Sequence, residues 1–293
     1  MTVTAETATT DALPTVPLLQ ADGVTMRFGG LTAVNNVSMT VNEGEILGLI
    51  GPNGAGKTTF FNCLTGLYRP TEGQVRLSGV ELPPKPRAVV KAGMARTFQN
   101  IRLFANMTAL ENVMVGRYCR TSSGALTSIL HGPKFRREEA ETRARAQELL
   151  DFVGLSDSTE HLARNMPYGN QRRLEIARAL ATDPKLVLLD EPTAGMNPLE
   201  TRQASDLIFK IRDTGLAVVV IEHDMRFIFG VCDRVLCLVR GETLVEGTPA
   251  HVQSDPRVIE AYIGTGADDG DEAPTDTADG SGASGAPRSE DTP

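Results

Sequence analysis

A glycine-rich loop between a strand and a helix is the feature that most constrains the fold of this chain. The loop reads Gly51-Pro52-Asn53-Gly54-Ala55-Gly56-Lys57-Thr58-Thr59 and follows the apolar run at residues 46–50. Its glycines allow consecutive backbone N–H groups to surround an anion, and the helix that follows adds the positive end of its dipole. In such a loop the lysine reaches the outer phosphates and the hydroxyl of Thr58 holds Mg²⁺. The loop therefore predicts binding of a nucleoside triphosphate, in preference to a plain strand-to-helix turn.

The bulk composition is compatible with one large α/β domain, or with two smaller ones. The chain has 293 residues, of which 41% are hydrophobic, and a formal net charge of −8. Most of that charge lies at the ends, since residues 265–293 hold eight acidic side chains against Arg288 alone, and residues 1–17 contain Glu6 and Asp11. Residues 18–264 are close to neutral, and we therefore expect no nucleic-acid partner.

Two further observations concern location and metal binding. No apolar run approaches the ~20 residues of a membrane-spanning helix, and the N-terminus lacks a basic-then-apolar signal, so we expect a soluble protein of the cytoplasmic type. The four cysteines, Cys63, Cys119, Cys232 and Cys237, lack the paired short spacings of a zinc site. We expect them to be buried as small apolar side chains.

The hydrophobic pattern predicts an α/β fold. Apolar runs at 186–189 and 217–221 are separated by a predicted helix at 199–212, which is typical of a parallel sheet covered on both faces. Short alternating runs between residues 18 and 41 indicate antiparallel strands. Helices are expected at 108–116, where Thr108 and Glu111 form a capping box, and at 136–153 and 171–182. Residues 1–17 and the acidic tail 265–293 have the composition of disordered segments.

Polar side chains follow the buried strands, where ligands bind in a parallel sheet. Asp190 and Glu191 follow one strand, and we interpret them as a carboxylate that orients Mg²⁺ and one that polarises the attacking water. The alternative for this pair is helix capping. His223 follows the next strand and is expected to contact the γ-phosphate, although an ordinary partly buried histidine has the same pattern. Gln99 could present its amide to Mg²⁺ or water, or be a solvated turn residue.

The phosphate loop, Gln99, Asp190-Glu191 and His223 resemble, in order and spacing, the nucleotide-binding subunit of ATP-binding-cassette (ABC) transporters. Residues 166–173, Met-Pro-Tyr-Gly-Asn-Gln-Arg-Arg, stand at the place of that family's signature motif. The resemblance covers about residues 18–264. It implies a P-loop NTPase core with a parallel central sheet, an N-terminal antiparallel β subdomain and a helical subdomain at about 100–182, with ATP and Mg²⁺ as cofactors.

The resemblance also assigns nucleotide contacts. It implies that Phe28 stacks on adenine, that residues 194–198 cross to a second subunit, and that Tyr168, Gly169 and Asn170 complete the nucleotide site of that subunit in a head-to-tail dimer. The signature departs from the family's Leu-Ser-Gly-Gly-Gln, because Pro167 replaces the serine, Tyr168 the first glycine and Asn170 the glutamine. The serine contact to the γ-phosphate must then come from backbone N–H groups, from Asn170, or be absent. Asn197 stands where the family usually has aspartate.

Within the family, the stretches 26–30, 95–104 and 168–178 and the irregular insert at 117–135 look like the ATPase of branched-chain (hydrophobic) amino-acid importers. Urea or amide importers and lipopolysaccharide exporters are similar alternatives. The resemblance implies transmembrane permease subunits, a homodimer or a heterodimer with a paralogous ATPase, an indirect link to a substrate-binding protein, and a peripheral position on the cytoplasmic face of the membrane. The apolar Leu103, Phe104 and Met107 after Gln99 are expected to form the permease-docking groove.

Two other classes fit less well. Soluble ABC ATPases that act on ribosomes or DNA usually carry two cassettes or a long coiled-coil insertion, whereas this chain has one phosphate loop. The other class is a GTP switch or a small-molecule kinase. A GTP switch would need an Asn-Lys-x-Asp motif to read guanine, and the sequence has none. The Asp-Glu pair with a distant histidine favours hydrolysis over the phosphate transfer of a kinase.

The composition of residues 265–293 leads to a first prediction. Because this segment has too few apolar residues to pack, its removal should leave the melting temperature and the ATPase rate nearly unchanged. Thermal melts and ATPase assays of the full and truncated chains would test this. A clear fall in melting temperature would show that the tail docks on the folded domain.

Overall fold

The computed structural model describes residues 16–119 and 133–263, and for residues 133–135 and 263 it describes the backbone alone. The expectations for residues 1–15, for 120–132 and for the acidic tail lie outside these ranges. Within them, no helix has both the length and the apolar character needed to cross a bilayer.

Strands and helices are interspersed along the described chain, with three consecutive helices between the sixth and the seventh strand. The strands are β1 (Leu19–Phe28), β2 (Leu31–Val41), β3 (Ile46–Ile50), β4 (Glu72–Leu77), β5 (Val80–Glu81), β6 (Met94–Arg96), β7 (Leu186–Asp190), β8 (Ala217–Ile221), β9 (Arg234–Val239) and β10 (Glu242–Gly247). The helices are α1 (Lys57–Leu64), α2 (Pro86–Ala92), α3 (Ala109–Arg117), α4 (Pro133–Phe152), α5 (Tyr168–Leu180), α6 (Pro198–Asp213), α7 (Met225–Val231), α8 (Pro249–Ser254) and α9 (Pro256–Ile263).

The described strands form two sheets. The central sheet has the order β10-β9-β3-β8-β7-β6, and its neighbours are parallel except for the β9–β10 hairpin. The second sheet has the order β2-β1-β4-β5 and is antiparallel. This confirms the predicted fold class, a parallel core with an N-terminal antiparallel β subdomain. Because β3, β7 and β8 run in parallel, the polar residues that follow them meet at one edge of the sheet.

Two hydrophobic cores lie on opposite faces of the central sheet, and the alternation of side chains along each strand separates them. On β3, Ile46 and Ile50 face the core formed with α3–α7, whereas Leu47 and Leu49 face the core shared with α1 and the antiparallel sheet. Fully burying one such side chain contributes about 1.5–3 kcal/mol. Cys63, Cys232 and Cys237 are buried as expected, and Cys119 is half-buried.

The helical part of the chain packs on one face of the sheet. Helix α3 begins with the predicted capping box, in which Thr108 accepts from the N–H of Glu111 and the Glu111 carboxylate accepts from the N–H of Thr108. Helix α4 contributes Ala146, Leu149 and Leu150 to the core.

The structure also corrects several expected boundaries. Helix α5 begins at Tyr168, three residues before the predicted start at residue 171, and α4 begins at Pro133, three residues before the predicted start at residue 136. The short helices α7 and α8 were not predicted. Their N-caps carry the missed signals, since Asp224 accepts from the N–H groups of residues 226 and 227, and Thr248 accepts from that of His251.

Candidate functional site

The carboxyl ends of the parallel strands open into a cleft of about 630 Å³. The phosphate loop follows β3, Gln99 follows β6, and Glu191 follows β7. The structure thus brings together residues that the sequence analysis singled out from three separate parts of the chain. The cleft is lined by Leu31, Thr32, Ala33, Asn53, Gly54, Ala55, Gly56, Lys57, Thr58, Thr59, Gln99, Glu191, Ile221 and Arg240.

The phosphate loop owes its shape to glycines that lie against neighbouring backbone. A Cβ at Gly51 would be 2.2 Å from the carbonyl oxygen of Leu238, and a Cβ at Gly56 would be 2.4 Å from that of Ala33. Gly56 also has a left-handed backbone, with φ of +92°, and is the N-cap of α1 without a side-chain cap. The first N–H groups of α1 therefore point into the cleft, where an anion can accept from them.

Lys57 lies within this loop. Its ammonium donates to the carbonyl oxygens of Gly51, at 2.5 Å, and of Pro52, at 2.9 Å. Burial lowers the pKa of Lys57, and the negative charge of Glu191 acts in the opposite direction. The lysine therefore places a partly desolvated positive charge at the centre of the loop.

The candidate catalytic residues meet beside the loop. The amide nitrogen Nε2 of Gln99 donates to Oε2 of Glu191 at 2.9 Å. Nδ1 of His223 lies 3.9 Å from Oε1 of Glu191 and 3.7 Å from Oε2 of Glu222, beyond hydrogen-bonding distance. The His223 side chain is 66% exposed, so it can turn toward a ligand. Glu191 has a left-handed φ of +47°, a strained conformation of a kind that is concentrated at functional sites.

The predicted magnesium ligands lie at two depths. Thr58 and Gln99 line the cleft, whereas Asp190 is buried behind it, with a relative exposure of 5%. Oδ2 of Asp190 accepts from Nη2 of Arg96 at 2.7 Å, and Arg96 also donates to Oδ1 of Asn62. Hydroxyl, amide and carboxylate oxygens are the hard ligands that Mg²⁺ prefers. The donor set fits the ion, with Asp190 as the more remote member.

The signature residues are not part of the cleft lining. Tyr168, Gly169 and Asn170 form the first turn of α5, whose N-cap Pro167 provides no side-chain acceptor. Oδ1 of Asn170 accepts from Nη2 of Arg173 at 2.6 Å, which leaves the amide NH₂ of Asn170 as a donor. The first turn of α5 thus has the donors expected of an anion-binding surface but lies outside its own subunit's cleft.

Phe28 also lies outside the cleft lining, at the end of β1. It is 43% exposed and makes an edge-to-face contact with Tyr68, with ring centroids 5.4 Å apart. The chain continues from Phe28 into Leu31 and Ala33, which do line the cleft. Phe28 is therefore placed at the approach to the cleft, with an exposed aromatic face.

Two buried polar residues near the site were missed by the sequence analysis. Glu222 is 1% exposed and accepts from both the N–H and the hydroxyl of Thr193, at 2.8 Å and 2.5 Å. It thereby ties the end of β8 to the segment after Glu191. Arg96, which holds Asp190, lies in the stretch 95–104, which the sequence analysis used only for the resemblance to a family. Glu222 directly follows the apolar run at 217–221, and this position was the one signal available for it.

Comparison with known proteins agrees with this geometry. A family model described as "ABC transporter" matches residues 34–194, and one described as "Branched-chain amino acid ATP-binding cassette transporter" matches residues 242–268. The chain is 46% identical over 250 residues to the high-affinity branched-chain amino acid transport ATP-binding protein LivG of Salmonella typhimurium. The aligned region covers 85% of this chain and 98% of LivG.

Two solved structures are similar to most of this chain. One is the ADP conformation of an ATP-binding cassette of an ABC transporter, with a TM-score of 0.75 and 32% identity, covering 85% of this chain and 100% of that one. The other is a dimeric ATP-binding cassette in a post-hydrolysis state bound to ADP and Pi, with a TM-score of 0.66 and 28% identity, covering 79% of this chain and 98% of that one.

The packing of the loop predicts different effects for two glycine substitutions. Both Gly54→Ala and Gly56→Ala place a side chain on a left-handed backbone, but only the second puts a Cβ against a carbonyl oxygen, since the Cβ at position 54 meets nothing within 4 Å. Gly56→Ala should weaken nucleotide binding at least about tenfold more than Gly54→Ala, because the loop must move. Titration with a fluorescent ATP analogue measures both affinities. Equal affinities would contradict this account of the loop.

Proposed function

The chain belongs to the ABC transporter family, and we propose that it is the ATP-hydrolysing subunit of an importer for branched-chain amino acids. The observation that carries the proposal is the meeting of the phosphate loop, Gln99 and Glu191 in one cleft. The amino-acid class is supported by the function printed for LivG and by the family match at residues 242–268.

ATP binding is assigned to the phosphate loop and the residues around it. The N–H groups of residues 53–59 and the ammonium of Lys57 hold the phosphates, and Phe28 stacks on the adenine. Thr58, Gln99 and Asp190 would hold Mg²⁺, and the ion would neutralise charge on the phosphate oxygens. Lys57 exchanges its two carbonyl acceptors for phosphate oxygens, which form stronger, charge-assisted hydrogen bonds.

Hydrolysis is assigned to the residues beside the γ-phosphate position. Glu191 accepts a proton from the attacking water, and the amide of Gln99 fixes the orientation of that carboxylate. His223, at the end of β8, donates to the γ-phosphate after its exposed side chain turns into the cleft. In this mechanism the three side chains act from the ends of three neighbouring strands.

A second subunit completes the site. The first turn of α5, with uncapped N–H groups and the donor amide of Asn170, lies outside its own cleft and can bind the γ-phosphate of a partner. A solved cassette of similar fold is dimeric with ADP and Pi bound, which supports this arrangement. The partner is a second copy of this chain or a paralogous ATPase.

The permease-docking surface is formed by Phe104 and Met107. Their exposures are 47% and 36%, whereas Leu103 is half-buried against the core. The fully buried Asn112 shapes this loop, because its side chain accepts from the N–H of Phe104 and donates to the carbonyls of Phe104, Met107 and Thr108. Exposed apolar side chains grouped in one loop are typical of an interface. This docking would hold the subunit at the cytoplasmic face of the membrane.

Glu191→Gln tests the catalytic assignment. The substitution keeps the size and hydrogen bonding of the side chain but removes its basicity, so turnover should fall by about 10²-fold or more while ATP still binds. Phosphate release and nucleotide titration measure the two quantities. A near-normal hydrolysis rate would remove Glu191 from its role as the base.

The Glu191→Gln variant also tests whether two subunits share each nucleotide site. Because ATP persists in the Glu191→Gln subunit, sedimentation with ATP should show a dimer, whereas sedimentation with ADP should show a monomer. Dimers that form equally with both nucleotides, or with neither, would contradict a site completed by the partner's α5.

Phe104→Asp tests the docking surface. The side chain is about half exposed, so the isolated subunit should fold and bind ATP, while a buried charge at the interface should prevent assembly with the permease and abolish uptake. Co-purification with the permease and transport into vesicles are the measurements.

Val80→Asp is a matched control, because Val80 is an exposed apolar residue on β5, with 68% exposure, outside the proposed surface. It should leave assembly and uptake unchanged. If the Phe104→Asp subunit still assembles and supports uptake, the permease binds elsewhere.

A further inference from the structure

Arg172 is among the largest fully buried side chains of the described chain, with a relative exposure of 1%. It lies in α5, two residues after Asn170, and extends toward the catalytic edge of the sheet. Its guanidinium donates to the carbonyl oxygens of Phe98, at 2.6 Å, and Gln99, at 2.8 Å. It also approaches the carbonyl oxygen of Glu191 at 3.3 Å. One side chain therefore contacts the backbone of both residues proposed to control the attacking water.

These carbonyl groups belong to residues whose side chains also bond each other, since Gln99 donates to Glu191. Glu191 has the left-handed φ of +47°, and a donor on its carbonyl oxygen helps to keep the peptide group in that orientation. Arg172, Gln99 and Glu191 thus form a closed set of contacts. A shift of α5 would move both backbone segments together.

Glu175 holds Arg172 in place. One turn further along α5, its Oε2 accepts from Nη1 of Arg172 at 2.9 Å, and both side chains are 1% exposed. Oε1 of Glu175 lies 3.4 Å from the backbone nitrogens of Phe98 and Arg102. The pair therefore binds the segment after β6 through both its carbonyl and its N–H groups.

Burial of the Arg172–Glu175 ion pair contributes little net stability to the core. Nε of Arg172 is buried and has no hydrogen-bond partner among the described residues, and a well-packed apolar pair is often as stable as a buried ion pair. Stability alone does not account for an arginine at this position. The contacts of Arg172 with the carbonyl groups of Gln99 and Glu191 account for it.

We propose that Arg172 is a positioning residue that couples the first turn of α5 to the Gln99–Glu191 pair of its own subunit. The inference rests on the proposed shared site, in which Tyr168, Gly169 and Asn170 contact the nucleotide of the partner subunit. Because a helix is stiff, a nucleotide held at its first turn displaces Arg172 and, with it, the two carbonyl groups. Occupation of one site then adjusts the catalytic geometry of the other.

The test uses the full chain with both members of the pair replaced, Arg172→Met with Glu175→Met, so that neither is left buried without the other. Arg178, 4.0 Å from Glu175, has a side chain that is 17% exposed and keeps access to water. The nucleotide affinity should be unchanged, because neither side chain lines the cleft. The kcat should fall about 10-fold to 100-fold, and the Hill coefficient for ATP should fall from above one to one. Arg172→Lys keeps the positive charge opposite Glu175, but one ammonium group cannot bond three carbonyl groups. Compared with the double variant, Arg172→Lys should therefore be closer to the wild type in melting temperature than in kcat.

Arg234→Met is the matched control. Arg234 bonds Glu45, Glu246 and the carbonyl of Thr40 at the amino end of β9, away from the cleft. The Arg234→Met variant should have a lower melting temperature and an unchanged kcat per folded molecule.

A double variant with wild-type kcat and Hill coefficient, or an Arg234→Met variant with an equal loss of kcat, would overturn the positioning role. Wild-type chain without ATP-dependent dimers would instead overturn the shared site, and the coupling with it.

Discussion

Close contact between the phosphate loop and two neighbouring backbone segments is the constraint on which the nucleotide site depends. Gly51 and Gly56 approach the carbonyl groups of Leu238 and Ala33 more closely than any side chain would permit. The N–H of Gly241 also donates to the carbonyl of Ala55 at 3.0 Å. The loop is therefore held between β2 of the antiparallel sheet and the β9–β10 turn of the central sheet. Both sheets must be in place before the loop has its binding shape, and this joins folding of the β subdomain to function.

Behind the cleft, buried ionic groups hold the strand ends in register. Arg96 holds Asp190, Glu222 holds Thr193, and Arg172 with Glu175 holds the segment after β6. Each group takes polar atoms out of water, which is unfavourable unless the partners satisfy them. In return, the donors and acceptors at the strand ends are fixed before a ligand binds, so that little reorganisation of these groups remains when one does.

The sequence predicted those parts of the site that depend on local pattern. Apolar runs identified β7 and β8, and the position of Glu191 directly after β7 was enough to assign it to the sheet edge. The contacts of Arg172 could not be predicted in this way, because they join residues 73 and 74 positions apart in the chain. No periodicity or capping rule reports such a pair. Helices as short as α7 were missed for a different reason, since seven residues hold too few turns for a hydrophobic period to be visible.

Lys57 shows how the loop can be both stable and ready to bind. Its ammonium is already partly desolvated, and the carbonyl groups of Gly51 and Pro52 keep it directed into the loop. Much of the unfavourable desolvation of this charge is therefore incurred when the chain folds. Phosphate oxygens can then replace neutral acceptors with charged ones, and the gain appears as affinity for the nucleotide. Glu191 opposes part of that gain, because its negative charge acts on Lys57 and repels the phosphate oxygens that Lys57 attracts.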